Sequence, residues 1–227
     1  MENNSLKTLS NFLLVFVAGF ADTATFTAGN EVFSAHVTGN FVVFGYKLMN
    51  NPQLADFKIL LTFPVFVLAV YLTGVLNNKM KDERKLYLLM SLILLVASAM
   101  AYFNYADDNQ MSIFNFSVVL IIVFAMGIQN AVNKLYDKST FGPTTVMTGN
   151  VTKATLDFCN AYLSGDKAEE KKVSFKRVLV LISGFLIGCT LGALLAGKYG
   201  LSVLIVPAVL VFLYYSFVFP KHQAAQN

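Results

Sequence analysis

Six long, mainly apolar stretches divide the 227-residue chain: Leu9–Ala28, Phe57–Leu76, Leu86–Phe103, Ile113–Asn130, Phe175–Gly197 and Leu201–Phe219. A helix needs roughly 20 such residues to cross the hydrocarbon core of a bilayer, so each stretch is a predicted membrane span. Composition closes the alternatives. The chain is 56% hydrophobic and 13% charged, against about 45–50% and about 25% in an ordinary soluble domain. A cytosolic enzyme, a disordered chain and a disulfide-rich secreted domain are thereby excluded. The expected fold is an all-α polytopic membrane protein, a single transmembrane domain over residues 1–227. Lys7 before an apolar run imitates a signal peptide. Five further spans and an internal counterpart to this run assign it instead as the first span.

Two half-polar segments lie between these spans, Phe33–Met49 and Thr144–Tyr162, broken by Thr38-Gly39-Asn40 and Thr148-Gly149-Asn150. Basic residues decide how to count them, because positively charged loops stay cytoplasmic. Lys79, Lys81, Arg84 and Lys85 follow the second span, and Lys167, Lys171, Lys172, Lys176 and Arg177 flank the start of the fifth. Asp107 and Asp108 occupy a loop without bases. Six transmembrane helices plus two re-entrant half-helices put Lys7, both basic loops and Lys221 on one side, with both termini cytoplasmic. Counting both broken segments as full spans would separate the basic loops.

The chain also repeats itself. Gly19-Phe20-Ala21-Asp22 matches Gly127-Ile128-Gln129-Asn130 at an offset of 108. Val37-Thr38-Gly39-Asn40 matches Met147-Thr148-Gly149-Asn150 at 110, and Phe57-Lys58 with Gly74 matches Phe175-Lys176 with Gly192 at 118. The halves run over about 8–104 and 113–219. Three spans each is an odd number, so the second half is upside down relative to the first, an inverted-topology repeat (3+3) of the kind transporters use. The two Thr-Gly-Asn breaks then enter from opposite faces and are expected to meet near the midplane.

The Gly-x-x-Asp of the first span, the Phe33-to-Gly45 stretch around Thr38-Gly39-Asn40, and Thr148-Gly149-Asn150 resemble the YoaK-like family of bacterial inner-membrane proteins. The resemblance covers nearly the whole chain. It implies a six- or seven-span protein of the bacterial plasma membrane and supplies no activity, the family being uncharacterised.

Irregular backbone at membrane depth is tolerated only where protein or a water-filled cavity satisfies its polar groups. Glycine permits the turn, and Thr and Asn side chains are expected to cap helix starts there. Such starts present partial positive charge to a bound solute. The expected solute-binding residues are Thr38, Gly39, Asn40, Thr148, Gly149, Asn150 and Asn130, with the tying-together of broken helices as the equally weighted structural role. Asp22 lies inside the first span beside Thr23 and Thr25, where a carboxylate usually faces a cavity or a partner. With His36 it forms the expected proton- or ion-coupling pair. The alternative is that the span ends near Asp22 and leaves it at the wet surface. The counterparts Asn130 and Val146 cannot titrate. Glu31 reads as an exposed loop acid, and Lys134 and Lys138 as cytoplasmic anchors.

Gly184, Gly188, Gly192 and Ala196 make a small-residue stripe that admits another helix closely, either within the chain or in a homo-oligomer. Cys159 and Cys189 are read as reduced packing residues. No metal-binding helix, nucleophile elbow or phosphate loop is spelled out. The reading is therefore not an enzyme, with no metal, cofactor or nucleic acid; its partners are the lipid bilayer and a small-molecule solute. The expected function is secondary transport of a small polar or anionic solute, with or without proton coupling. A passive channel of aquaporin- or formate-channel-like plan and a non-transporting membrane scaffold are the alternatives.

Overall fold

The computed structural model describes residues 2–50, 53–103, 113–137, 140–163 and 168–219. Asp107, Asp108, Lys138, Lys167 and Lys221 lie outside them. The described elements are helical: α1 (Glu2–Ala28), α2 (Gly39–Met49), a 3-10 segment (Leu54–Leu61) leading into α3 (Thr62–Met80), α4 (Glu83–Phe103), α5 (Ile113–Leu135), α6 (Met147–Tyr162) and α7 (Ala168–Tyr199). A 3-10 turn (Gly200–Leu204) then leads into α8 (Ile205–Leu213) and a π-helical end (Tyr214–Val218).

Five segments are long and apolar enough to cross a membrane: Ser5–Ala28, Asp56–Met80, Glu83–Phe103, Ile113–Leu135 and Ala168–Val218. The sequence counts six because the last contains two of its stretches. That run folds back on itself. Gly184 of α7 lies against Phe12 of α1 and Gly197 against Thr27, yet Tyr214, beyond α8, donates a hydrogen bond to the Leu6 carbonyl. The chain climbs the length of α1, reverses at Gly200 with its positive φ of 66°, and returns. Only glycine takes that backbone conformation without steric cost.

Neither α2 nor α6 is among the spans. The 11 residues of α2 reach only about 16 Å at 1.5 Å per residue, half the hydrocarbon thickness. Its far end comes back to where the segment began, because Lys47 holds Glu31 at 3.2 Å and the Asn30 carbonyl at 3.3 Å. Residues 29–38 therefore run down beside α1, and α2 runs back up. Asn30 and Glu31, both at φ 61°, make the entry turn.

At the centre stands α1, with 72% of its apolar window buried, against 22% for Asp56–Met80. Glycine explains how α7 gets so near it. A Cβ on Gly188 would stand 2.2 Å from the Phe16 carbonyl oxygen, one on Gly192 2.5 Å from that of Phe20, and one on Gly19 2.4 Å from that of Phe185. The small-residue stripe is thus filled by α1 of the same chain, which leaves no room on it for a second copy. A parallel seam joins α5 to α3, where a Cβ on Gly127 would lie 2.6 Å from the Ala69 methyl. Gly19 and Gly127 are the glycines that the sequence repeat equates.

Candidate functional site

The first break is built around Asp22. This carboxylate is 4% exposed, inside α1 rather than at its wet end. Its Oδ1 accepts the backbone N–H groups of Ala35 (2.7 Å) and His36 (3.2 Å), and its Oδ2 lies 2.5 Å from His36 Nδ1. The two main-chain bonds satisfy non-helical backbone where lipid could not. The imidazole packs edge-on against Phe185 of α7 and is a third exposed, while Asp22 is enclosed.

Asn40 is the tie that closes this break. Its Oδ1 accepts the Phe33 N–H at 2.8 Å, and its Nδ2 donates to the Phe33 carbonyl at 2.8 Å and to Thr62 Oγ1 at 3.0 Å. The side-chain amide pairs with one residue's backbone as a neighbouring strand would. Thr38 occupies the position before α2, but its side chain makes no capping bond. Thr and Asn were expected to cap the helix start; the amide instead serves the backbone seven residues earlier.

The second break repeats the pattern with substitutions. Asn130, equivalent to Asp22, donates to Thr145 Oγ1 at 2.6 Å. Asn150, equivalent to Asn40, donates to the Pro143 carbonyl at 2.7 Å. Pro143 stands where Phe33 stands and has no N–H, so Asn150 Oδ1 is buried without a hydrogen-bond partner. Gln129 donates to the Leu14 carbonyl and to Thr144 Oγ1, and its own Oε1 is likewise buried and unpartnered. Asn11 accepts the Phe141 N–H at 2.7 Å.

Of the expected solute-binding residues, Asn40, Asn130 and Asn150 thus bond to protein groups, while Thr38, Thr148 and Gly149 are exposed and Gly39 is half-buried. The breaks attach to α1 at different heights, the first at Asp22 and the second at Asn11 and Leu14. Eight to eleven residues of helix, about 12–16 Å, separate these attachments. Sequence reasoning passed over Gln129, Thr144, Thr145, Asn11, Phe33 and Pro143. Gln129 was visible only as a letter of the repeat, and the Phe33/Pro143 difference emerges once both breaks are aligned on their asparagines.

The far end of α6 is clamped by a buried acid outside the five spans. Asp157 accepts from Ser174 at 2.6 Å and from Lys153 and Lys171 at 3.1 Å each. Burial pushes its carboxyl up, but the bonds from Ser174, Lys171 and Lys153 outweigh that and hold it down at about 2. A carboxyl depressed on folding stabilises the protein above its unfolded pKa and loses that contribution as pH falls through its folded one. Asp157→Asn is expected to cost about 1–2 kcal/mol at neutral pH, the lysines being partly screened by solvent. Thermal unfolding in detergent should show the gap to wild type closing as pH drops from about 4 toward 2. A gap constant over that range would remove Asp157 as the clamp.

Among the described residues, no three His, Cys, Asp or Glu side chains gather as a metal site would require. A family model described as "Protein of unknown function (DUF1275)" matches residues 11–217. No curated protein and no solved structure matches the chain.

Proposed function

Because the chain belongs to the DUF1275 family, whose description names no activity, we propose from its site that it is a secondary carrier for a small polar solute, with Asp22 and His36 as its proton-binding pair. The carrying observation is that pair: a titratable imidazole held by an enclosed carboxylate at a break beside the most buried helix. The equivalent residues of the other half are neutral. Asp22 orients the imidazole and balances its charge when protonated, as carboxylates do for histidines that shuttle protons. Our reading gives the travelling proton to His36, the more exposed of the two side chains.

The proposal includes six crossings in a 3+3 inverted repeat, both termini at the cytoplasmic face of a bacterial inner membrane. What supports it is reciprocal packing. The first helix of each half docks by its equivalent glycine onto the second helix of the other, α1 on α7 and α5 on α3. The two breaks also tie themselves by equivalent asparagines.

Uptake of small polar solutes into proteoliposomes, with and without an imposed proton gradient, tests the carrier. His36→Gln and Asp22→Asn should each abolish gradient-driven accumulation and spare solute exchange. Gradient-driven accumulation by His36→Gln equal to that of wild type would remove the pair from the mechanism.

A further inference from the structure

Where α7 gives way to the 3-10 turn at Gly200, the returning chain meets the end of α4 and leaves a cavity of about 620 Å³ between them. Its walls are Leu95 and Ala99 of α4, Leu195 of α7, and Val203 and Val206 beyond Gly200. Two serines also face it, and both donate their hydroxyls to main-chain carbonyls. Ser98 bonds to the Ser202 carbonyl at 2.5 Å and Ser202 to the Tyr199 carbonyl at 2.7 Å. A trapped water needs about two to four polar partners, which such a lining does not supply. Left empty, the space would forfeit packing contacts all around its wall. Hydrocarbon is what fits it.

The rim narrows the kind of hydrocarbon. Tyr102 and Phe103 end α4 and Tyr199 ends α7; all three are exposed, and all three line the cavity. Amphipathic rings at the ends of spans mark the headgroup level of a bilayer. From Tyr102 back to Leu95 is seven residues, about 10 Å of helix, so the cavity reaches from that level into the acyl-chain region. Lys198 Nζ lies 5.2 Å from the centre of the Tyr199 ring, which sets a positive charge at the mouth.

We propose that this cavity holds one acyl chain of a phospholipid from the adjoining leaflet, with the lipid's phosphate held by Lys198. Neither Asp22 nor His36 lines it, so the site is independent of the carrier reading. The chain gains nothing by leaving water, since lipid tails are as apolar as the wall. Retention comes from filling the space and from the charged contact at the head. Binding is therefore selective for the headgroup and sensitive to lost volume.

Native mass spectrometry of the full chain in detergent, after incubation with one added lipid at a time, tests this. The probes are palmitoyl-oleoyl phosphatidylglycerol, the diacylglycerol with the same chains, and palmitate. Wild type should retain one phosphatidylglycerol per chain and several-fold less of the other two. Ala99→Trp puts an indole into the cavity and should cut phosphatidylglycerol retention several-fold. Val206→Trp fills the space from the other side and takes its place if Ala99→Trp does not elute as folded protein. Val67→Trp adds similar bulk to α3, at a position 49% exposed and outside the lining, and should retain lipid like wild type. Lys198→Gln should bring phosphatidylglycerol down to the diacylglycerol level. Undiminished retention by a folded cavity-filling variant overturns the proposal, as does an equal loss in Val67→Trp. So does Lys198→Gln binding phosphatidylglycerol like wild type, or wild type retaining palmitate or diacylglycerol as well as phosphatidylglycerol.

Discussion

Gly188→Val is expected to leave little folded protein. The α7 backbone lies so near α1 that a Cβ there would be 2.2 Å from a main-chain oxygen, and no rotamer change relieves a clash with backbone. Overpacking a core typically costs about 1–3 kcal/mol and occasionally more. With two helices forced apart along the most buried element, the loss should reach at least about 3 kcal/mol on that scale. Gly74→Ala is the control. Gly74 lies in α3 with nothing within 4 Å of where its Cβ would be, and Ala in a helix is favoured over Gly by about 0.5–1 kcal/mol. Monodisperse yield and melting temperature in detergent check both. A Gly188→Val protein as stable as wild type would mean that the helices do not meet along this seam.

Asn40→Leu and Asn150→Leu are expected to differ sharply, although the two residues occupy the same place in the repeat. Replacing Asn40 strands the part-buried N–H and carbonyl of Phe33, each costing up to about 1–3 kcal/mol when unpaired. The total is about 2–6 kcal/mol, enough to open the first break and release His36 from its setting. Replacing Asn150 loses one bond to Pro143 but also removes an oxygen that had no partner, a net cost of about 1 kcal/mol or less. Melting curves of the two variants side by side decide the matter. Equal losses would contradict the asymmetry that Pro143 introduces.

The spans were legible because they depend only on length and apolarity. The residues facing inward were legible where a polar letter interrupts an apolar run, as Asp22 does, or where small residues recur every fourth position, as at Gly184, Gly188 and Gly192. What these residues touch was not. The stripe's partner depends on which helix returns to it, and periodicity says nothing about that. Asn40 reaches back seven residues to Phe33 because residues 29–38 turn down beside α1, a path set by tertiary contacts with Asp22. For the same reason Thr38 and Thr148, equal members of their motifs on paper, are exposed while the asparagines two positions on are enclosed. The boundary between the two last apolar stretches is, in the structure, the reversal at Gly200.

The tethers of the two half-helices carry a meaning beyond anchorage. Lys47, at the end of α2, is gripped by Glu31 and Asp56. Asp157, its equivalent at the end of α6, is gripped by Lys153 and Lys171. The geometry is alike and the sign is exchanged. In the proposed inverted repeat, a body of two mutually inverted halves would have, by shape alone, no reason to enter a membrane one way up rather than the other. Two acids hold the end of α2 and two lysines the end of α6, so the contacts that hold each half-helix also give the proposed repeat a polarity. Retention of basic residues on the cytoplasmic side can act on that polarity during insertion. Under that proposed repeat, symmetry of form with antisymmetry of charge would let a duplicated architecture serve two opposite faces while keeping a single heading.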